Sequence, residues 1–312
     1  MAVPDAALEA LLKEVLRNFE PGAKQKNAAQ RSQLHLRSLL NTGQFESRIL
    51  DSYLSGSYAR NTALHPLNDV DIIFVIDPAA WPRPLFSSFP SPQAVLKSFE
   101  RCIRYRYTTS ALRVQRRSIC LQLWHLNIDI VPGIREGLNS HVILIPDRER
   151  DEWIRTAPRL HSEAATEMNA KRGKRFKPLV KLLKLWNSNL PKNARFKSFT
   201  IETMATRIFR STDFQSLTDG LLLFWDFMAS RYGAGVVRSW PDGFGMSFGR
   251  WSVDVPDAVG LKGNTAQSVD NHRAILFSQK ARVSRDHLLR ALRARTTGAM
   301  QESALKAMRF AP

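Results

Sequence analysis

The sequence predicts an α+β fold followed by an α-helical lobe. Segments typical of strands fill the first half of the chain, whereas apolar residues at helical spacing fill the second half. A chain of 312 residues can bury a sizeable core and form two domains. We therefore expect residues 1–157 to form one domain, including N-terminal helices, and residues 158–312 to form the other.

The elements are predicted from periodicity along the chain. The first 45 residues carry two helical patterns, and the Pro- and Ser-rich segment 77–92 is expected to be a loop. Strands are expected at 49–55, 69–76, 111–116, 119–125 and 127–131. Helices are expected at 91–107, 159–172, 175–189, 198–211 and 216–231, and the basic segment 272–297 is expected to form a further helix.

Composition limits the class of protein. Apolar residues make up 44% and charged residues 24%, which is ordinary for a globular protein, and no window is apolar enough to span a bilayer. The N-terminus carries acidic residues where a signal peptide would not. Cys102 and Cys120 have no metal-ligand spacing and are expected to be small core residues. We expect a cytoplasmic protein with no membrane partner.

The net charge of +18 favours polyanionic partners. Nucleoside triphosphates need only a local cluster of positive charge. Binding of RNA or DNA is an alternative, and so is a basic surface that is simply solvated.

A Gly-Ser turn, Gly56 and Ser57, precedes two aspartates at the start of an apolar run. Asp69 and Asp71 are two residues apart, so in a strand they share a face. Carboxylates on one face repel each other, and both stay ionised only with a cation between them. Such oxygen ligands suit Mg²⁺, and the N–H groups of the turn can hold an anion. A divalent metal beside a phosphate-binding turn is typical of nucleotidyl transfer.

A third carboxylate, Asp129, lies in the segment 126–130. Its apolar neighbours occupy one face of the expected strand, and Asp129 stands alone on the other. An acid in an apolar strand is costly unless it is paired or binds a metal. For Asp129 by itself, a solvated sheet edge is the alternative. The ordered set of Gly-Ser, Asp-x-Asp and distal Asp favours a metal site.

The motifs GSYARNTA (56–63), DVDI (69–72) and NIDIVPG (127–133) resemble the DNA polymerase β-like nucleotidyltransferase superfamily. More narrowly, the chain resembles bacterial cGAS/DncV-like nucleotidyltransferases (CD-NTases), the signal-making enzymes of CBASS anti-phage operons. Further matches are IPD (145–147), the segment 153–158, Asn169, KPLVKLLKLWN (177–187) and KSFTIE (197–202). The resemblance covers about residues 50–210. It implies a nucleotidyltransferase catalytic lobe with a mixed sheet, residues 1–157. It also implies a nucleotide-binding α-helical lobe of the oligoadenylate synthase/poly(A) polymerase type, residues 158–312.

The chemistry of this superfamily suggests a role for each residue of the first three motifs. Asp69 and Asp71 would bind two Mg²⁺ ions, with Mn²⁺ as an alternative metal. Asp129 would bind the ion on the acceptor side and help to deprotonate the attacking hydroxyl. Gly56 would let the backbone approach the phosphates, and Ser57 would offer its N–H and hydroxyl to the β- and γ-phosphates.

The helix at 175–189 is expected to bury its leucines and to turn three lysines outward, Lys177, Lys181 and Lys184. A solvated lysine face is the ordinary interpretation. The resemblance implies instead that Lys184 binds the triphosphate tail, with Lys181 as a weaker candidate. It also implies a second triphosphate contact at Ser198.

Related bacterial enzymes carry a late Asp-Pro…Asn-Asn segment near the nucleotide bases. Asp254, Pro256, Asp257 and Asn264 lie in that region of this chain but do not reproduce the string. Asn264 is therefore a nucleotide-binding candidate, and the base specificity stays open.

Together these features predict an Mg²⁺-dependent synthase that makes a cyclic di- or trinucleotide second messenger from ATP, alone or with another NTP. A regulatory protein from the same operon is an expected partner, and binding of nucleic acid is compatible but not required. The alternative is an RNA 3′-end or tRNA nucleotidyltransferase, which the net charge favours. A non-enzymatic nucleotide-binding module is disfavoured because it has no reason to keep buried carboxylates together.

Overall fold

The structure is a computed structural model that describes residues 3–42, 45, 47–137, 140–232, 240–242 and 253–310. Contacts between residues divide the chain into two units. The sheet unit is Pro21–Glu163. The helical unit combines Met1–Glu20 with Ala164–Pro312.

The described helices are α1 (Val3–Asn18), α2 (Ala23–Asn41), α3 (Gly56–Ala59), α4 (Pro92–Arg106), α5 (Pro158–Lys171), α6 (Phe176–Ser188), α7 (Ser198–Phe209), α8 (Leu217–Tyr232), α9 (Asn271–Leu292) and α10 (Thr297–Ala307). The described strands are β1 (Ile49–Ser55), β2 (Asp69–Ile76), β3 (Ala111–Val114), β4 (Ile119–Gln122), β5 (Asn127–Arg135), β6 (Ile143–Asp147) and β7 (Glu152–Thr156). Within the described residues, no helix is long and apolar enough to cross a membrane.

The sheet unit is built on a mixed sheet, as expected. Its described strands run in the order β1-β2-β5-β4-β3, and β6 pairs with both β5 and β7. Strands β2 and β5 are parallel, whereas the remaining pairs are antiparallel. The connection from β2 to β5 contains α4 and the β3–β4 hairpin, which gives the length that a parallel crossover needs.

The two faces of this sheet differ in polarity because side chains alternate along each strand. On one face, Val70, Ile72 and Phe74 of β2 are buried with apolar residues of α2 and α4. The other face carries a smaller apolar cluster, Ile73, Val75, Val131 and Ile143. Asp69 and Asp71 belong to this second face, which is where the polar residues of the sheet concentrate.

Helix α1 packs against α6, α8, α9 and α10, so contacts group it with the helical unit. Its buried residues include Leu8, Leu12 and Leu16. The expected first domain, residues 1–157, included this helix, because position in the sequence gives no information about which unit an amphipathic helix covers. The assignment of functions to the two domains stays a prediction.

Most predicted elements are observed. Strands β6 and β7, helix α10 and the four-residue helix α3 were not predicted. Strands β6 and β7 have five residues each, and charged residues join them, so neither shows a clear period. Cys102 and Cys120 are free thiols, half-buried and buried respectively, in agreement with the sequence.

Candidate active site

One row of paired residues crosses five strands of the sheet unit. Asp71 of β2 lies opposite Asp129 of β5, its parallel neighbour. The row consists of Ser55, Asp71, Asp129, Cys120 and Arg113. Residues directly opposite each other in a sheet point to the same face. We call this set the Asp71 row, and its position follows from the register of the sheet.

Asp69 begins β2 and is paired with Asn127, two residues along the strands from the Asp71 row. Its side chain is therefore on the same face as Asp71 and is exposed. The structure thus brings Asp69, Asp71 and Asp129 together on one face, at the N-terminal ends of two parallel strands.

The Gly-Ser turn covers this cluster. Ser55 is the last residue of β1 and pairs with Asp71, so the chain turns immediately beside that carboxylate. Gly56 has a φ of +69°, a left-handed conformation that favours glycine. A Cβ atom at this position would overlap Oδ2 of Asp71. Only glycine therefore fits both the turn and the carboxylate.

Ser57 is half-buried in the same turn. Its carbonyl oxygen accepts a hydrogen bond from the N–H of Thr62 at 2.9 Å, which closes the loop that follows. The backbone of this turn is thereby fixed next to the carboxylates.

Burial is the main cause that raises the pKa of Asp71, to about 6. The neighbouring carboxylates of Asp129 and Asp69 raise this pKa further, while Arg60 lowers it. An ionised Asp71 is therefore destabilised in the folded protein unless a cation joins it.

Asp129 is also held above its usual pKa, first by burial and then by the charge of Asp69. The thiol of Cys120, which donates a hydrogen bond to this carboxylate, and the charge of Arg113 act in the opposite direction. Among the described residues, Oδ1 of Asp129 is buried and has no hydrogen-bond partner. That oxygen is therefore available for a ligand.

The three carboxylates fit a hard divalent cation in residue type and charge. In the part of the chain that the structure describes, no three His, Cys, Asp or Glu side chains are already arranged as a metal-binding group. The orphaned Oδ1 of Asp129 and the raised pKa of Asp71 are the features that a bound cation would relieve.

Two lysines of α6 depart from the expectation of an outward lysine face. Lys181 and Lys184 are only 7% and 6% exposed. The ammonium of Lys181 lies 2.5 Å from Glu20, and that of Lys184 lies 3.0 Å from Glu202. A buried ammonium requires such a partner, and both partners come from other helices or loops of the helical unit. The expectation that these two lysines turn outward was therefore wrong.

Ser198 is exposed and is the first residue of α7. The N-cap residue, Lys197, makes no side-chain capping hydrogen bond. The first N–H groups of α7 are therefore not occupied by the side chain of the N-cap, and a helix N-terminus of this kind suits an anion.

Asn264 uses its side-chain amide within its own loop. Its Oδ1 accepts from the N–H groups of Val255 and Ala266 at 3.0 and 2.8 Å, and its Nδ2 donates to the carbonyl of Val253 at 2.7 Å. In this structure Asn264 supports the loop at 253–266, and its role toward a base stays a prediction.

The predicted site residues thus fall into two groups. Gly56, Ser57 and the three aspartates lie in the sheet unit. Lys181, Lys184, Ser198 and Asn264 lie in the helical unit. The sequence interpretation missed Cys120 and Arg113, because only the register of the β4–β5 hairpin places them beside Asp129.

The sheet order and the Gly-Ser turn give the sheet unit the architecture of a DNA polymerase β-like nucleotidyltransferase. The model of the Second Messenger Oligonucleotide or Dinucleotide Synthetase (SMODS) domain matches residues 7–169, more than half of the chain. The chain belongs to this family, the bacterial cGAS-like CD-NTases.

A curated relative from Acinetobacter sp. (strain ATCC 27244 / 9458) is named cyclic AMP-AMP-AMP synthase. It is 33% identical over 205 residues, which are 62% of this chain and 56% of that protein. The matched region is therefore little more than half of the length of that relative.

Two solved structures are similar over almost the whole chain. The structure of CdnC from E. coli MS115-1 with ATP has a TM-score of 0.74 at 22% identity and covers 97% of both chains. The CdnC:HORMA-deltaN complex has a TM-score of 0.74 at 21% identity, with coverage of 97% of this chain and 96% of that chain. At these identities the similarity establishes the fold.

The raised pKa of Asp71 predicts a pH-dependent stability in the absence of divalent cations. A carboxyl whose pKa rises from 3.8 to about 6 on folding stabilises the folded state while it is protonated. The free energy of unfolding should therefore fall by about 3 kcal/mol between about pH 4 and pH 6. Urea denaturation at a series of pH values measures this slope. Asp71→Asn should remove most of it, and an unchanged slope in that variant would contradict the assignment.

Gly56→Ala should destabilise the protein because the new methyl group displaces Asp71. Gly260→Ala is the matched control, since Gly260 also has a positive φ, +84°, but no atom lies within 4 Å of its added Cβ. Both variants should lose about 1–2 kcal/mol to backbone strain. Denaturant titration should show a further loss for Gly56→Ala alone; equal losses would mean that the turn does not press on Asp71.

Proposed function

We propose that this protein is an Mg²⁺-dependent nucleotidyltransferase that makes a cyclic oligonucleotide second messenger from ATP. The observation that supports this most directly is the pairing of Asp71 with Asp129 in adjacent parallel strands, beside the turn at Gly56. The two carboxylates come from segments nearly sixty residues apart, so their meeting is a property of the fold. Phosphoryl transfer requires oxygen ligands for the metal ions next to a phosphate-binding turn, and this arrangement provides both.

In the proposal, Asp69, Asp71 and Asp129 hold the Mg²⁺ ions. The ions would neutralise charge on the reacting phosphate and lower the pKa of the attacking hydroxyl. Oδ1 of Asp129 has no protein partner among the described residues, and in the proposal it is the oxygen that serves the acceptor nucleotide. With a pKa above the usual range, this carboxylate is suited to accept a proton from a sugar hydroxyl.

Gly56 and Ser57 hold the phosphates of the donor nucleotide. The absence of a Cβ at Gly56 lets the backbone lie against Asp71, which brings the turn close to the metal ligands. Ser57 supplies its N–H and hydroxyl to the β- and γ-phosphates. The hydrogen bond from Thr62 to the carbonyl of Ser57 keeps these donors in place.

Lys184 and Ser198 bind the triphosphate tail in this proposal, and Lys181 contributes positive charge to the same helix. Lys184 has its ammonium oriented by Glu202, which is itself buried. Such a pair gives a lysine a defined position without a solvated, mobile side chain. Ser198 adds a hydroxyl at a helix N-terminus, where phosphate groups are favoured.

We propose ATP as the substrate and a ring of AMP units as the product. The name of the matched Acinetobacter relative, cyclic AMP-AMP-AMP synthase, supports a ring of three. A solved neighbour in fold, CdnC, was determined with ATP.

We propose that the enzyme acts in the bacterial cytoplasm, in anti-phage (CBASS) defence, under control of a protein encoded in the same operon. The solved complex of CdnC with HORMA-deltaN supports a protein regulator for a neighbour of the same fold.

Product formation tests the activity directly. Incubation of the wild-type protein with ATP and Mg²⁺ should release a phosphatase-resistant cyclic oligonucleotide without added primer, which mass spectrometry identifies. The double variant Asp69→Ala/Asp71→Ala should lower the rate on the order of 10²–10³-fold or more, because the charge on the reacting phosphate is no longer neutralised. Glu100→Gln is the control, since that half-buried carboxylate pairs with Arg104 on α4, which packs on the other face of the sheet.

Two outcomes would contradict the proposal. One is full activity in the double aspartate variant. The other is transfer of labelled nucleotide onto RNA with no cyclic product, and with affinity that falls steeply with salt; this would support the RNA nucleotidyltransferase suggested by the net charge of +18.

Binding of Mg²⁺ is tested separately from turnover. Mg²⁺ should raise the free energy of unfolding of the wild-type protein at neutral pH, by about 2.7 kcal/mol at a hundredfold excess over its Kd. The gain arises because the ion relieves the repulsion between the three carboxylates. Asp71→Asn should lose most of this gain in denaturation experiments, whereas an equal gain in both proteins would place the ion elsewhere.

A further inference from the structure

Trp124 is 95% exposed at the tip of the β4–β5 hairpin. The turn consists of residues 123–126 and is closed by a hydrogen bond from the N–H of Leu123 to the carbonyl of Leu126 at 2.9 Å. A large aromatic side chain that stays in water loses the free energy that burial of its apolar surface would give. An indole in this position therefore calls for an explanation.

The rest of the turn is anchored. Leu126 is buried and Leu123 is packed against the main core of the sheet unit. His125 is held by a hydrogen bond between its Nε2 and Oγ of Ser32 on α2, at 3.0 Å. The indole lies beside the His125 ring, with centroids 4.6 Å apart. These contacts fix the turn and leave Trp124 as the side chain it presents to solvent.

The turn projects from the end of the sheet that carries the carboxylates. Gln122 of β4 pairs with Asn127 of β5, and Asn127 pairs with Asp69 of β2. Asp129 is two residues beyond Asn127, about 7 Å along the strand. Trp124 therefore stands at the end of the hairpin that delivers Asp129 to the Asp71 row.

Two amide side chains without partners lie on the last pair of residues before this turn. The side-chain amides of Gln122 and Asn127 make no hydrogen bond within the described residues, and Gln122 is exposed. Together they offer donors and acceptors next to an aromatic face. The surroundings are polar, so they lack the apolar patch that a protein-docking surface presents.

A nucleoside matches this combination. Its base can stack on an indole, and the edge of the base can form hydrogen bonds with amides. Its sugar carries the hydroxyl whose proton Asp129 would accept. An apolar ligand would leave both amides and the nearby carboxylates unsatisfied. Because Asp129 lies further along β5 than the turn, the base could stack at the turn while the sugar hydroxyl lies at Asp129.

We propose that Trp124 is the stacking platform for the base of the acceptor nucleotide, with Asn127 and Gln122 at the edge of that base. This inference rests on the proposed function and deepens it by assigning the acceptor side to the β4–β5 hairpin. Because every base has a stacking face, the indole would supply affinity, and the two amides would supply preference among bases.

The test compares Trp124→Ala, Trp124→Phe and Tyr105→Ala in steady-state synthesis from ATP. Trp124→Ala should raise the KM for ATP roughly 10- to 100-fold, the loss that removal of one stacking residue causes. Its kcat should change much less, because the carboxylates remain. Trp124→Phe keeps a ring and should recover most of the affinity. Tyr105→Ala removes another exposed ring, on α4, and should behave like the wild type.

Equilibrium titration of ATP in the presence of Mg²⁺ gives a second measurement. The weaker binding of Trp124→Ala should appear there as well, while its thermal unfolding should match the wild type because the indole is exposed. An unchanged KM and affinity in Trp124→Ala, or an equal loss in Trp124→Phe, would overturn the proposal. So would normal ATP kinetics combined with lost response to a protein activator, since the indole would then dock a protein.

The wild-type control separates this inference from the proposed function. A wild-type protein that makes no product refutes the proposed function. A wild-type protein that makes product, alongside a Trp124→Ala variant with unchanged KM and affinity, refutes the base platform alone.

Discussion

The parallel pairing of β2 with β5 is the interaction on which the candidate site depends. It sets Asp71 opposite Asp129, and it aligns Cys120 and Arg113 on the same row through the β4–β5 and β3–β4 pairs. If the pairing register of β5 shifted by one residue, Asp129 would point into the apolar core and an isoleucine would lie opposite Asp71. The register is protected because the opposite face of both strands is filled with buried apolar residues.

The site holds carboxylates in a state that the folded chain by itself does not favour. Burial and mutual repulsion raise the pKa of Asp71, and one oxygen of Asp129 lacks a partner within the described residues. The core around Phe45, Trp81 and Phe99 on the other side of the sheet provides the stability that offsets this cost. Repulsion between buried charges on one face and close apolar packing on the other are common in sites that bind a charged ligand.

In the helical unit, buried charges are neutralised by partners of opposite sign. Lys181 and Lys184 are buried on α6, and each has a carboxylate partner, Glu20 or Glu202. In the sheet unit, three carboxylates gather on one face, and the nearby charges of Arg60 and Arg113 do not bring the pKa of Asp71 or Asp129 down to its usual range. The paired lysines of the helical unit are stable without a ligand, whereas the like charges of the sheet unit require an external ion.

Strands β1 and β2, helices α4 to α8 and the shared face of Asp69 and Asp71 could be predicted from the sequence, because local periodicity encodes them. Gly56 could also be identified, since its turn lies directly before the aspartates in the chain. The burial of Lys181 and Lys184, the short β6–β7 hairpin and the interactions of Asp129 with Cys120 and Arg113 could not be predicted and are set by tertiary packing. Each of these depends on a partner distant in the chain, and no local pattern records which distant segments will meet.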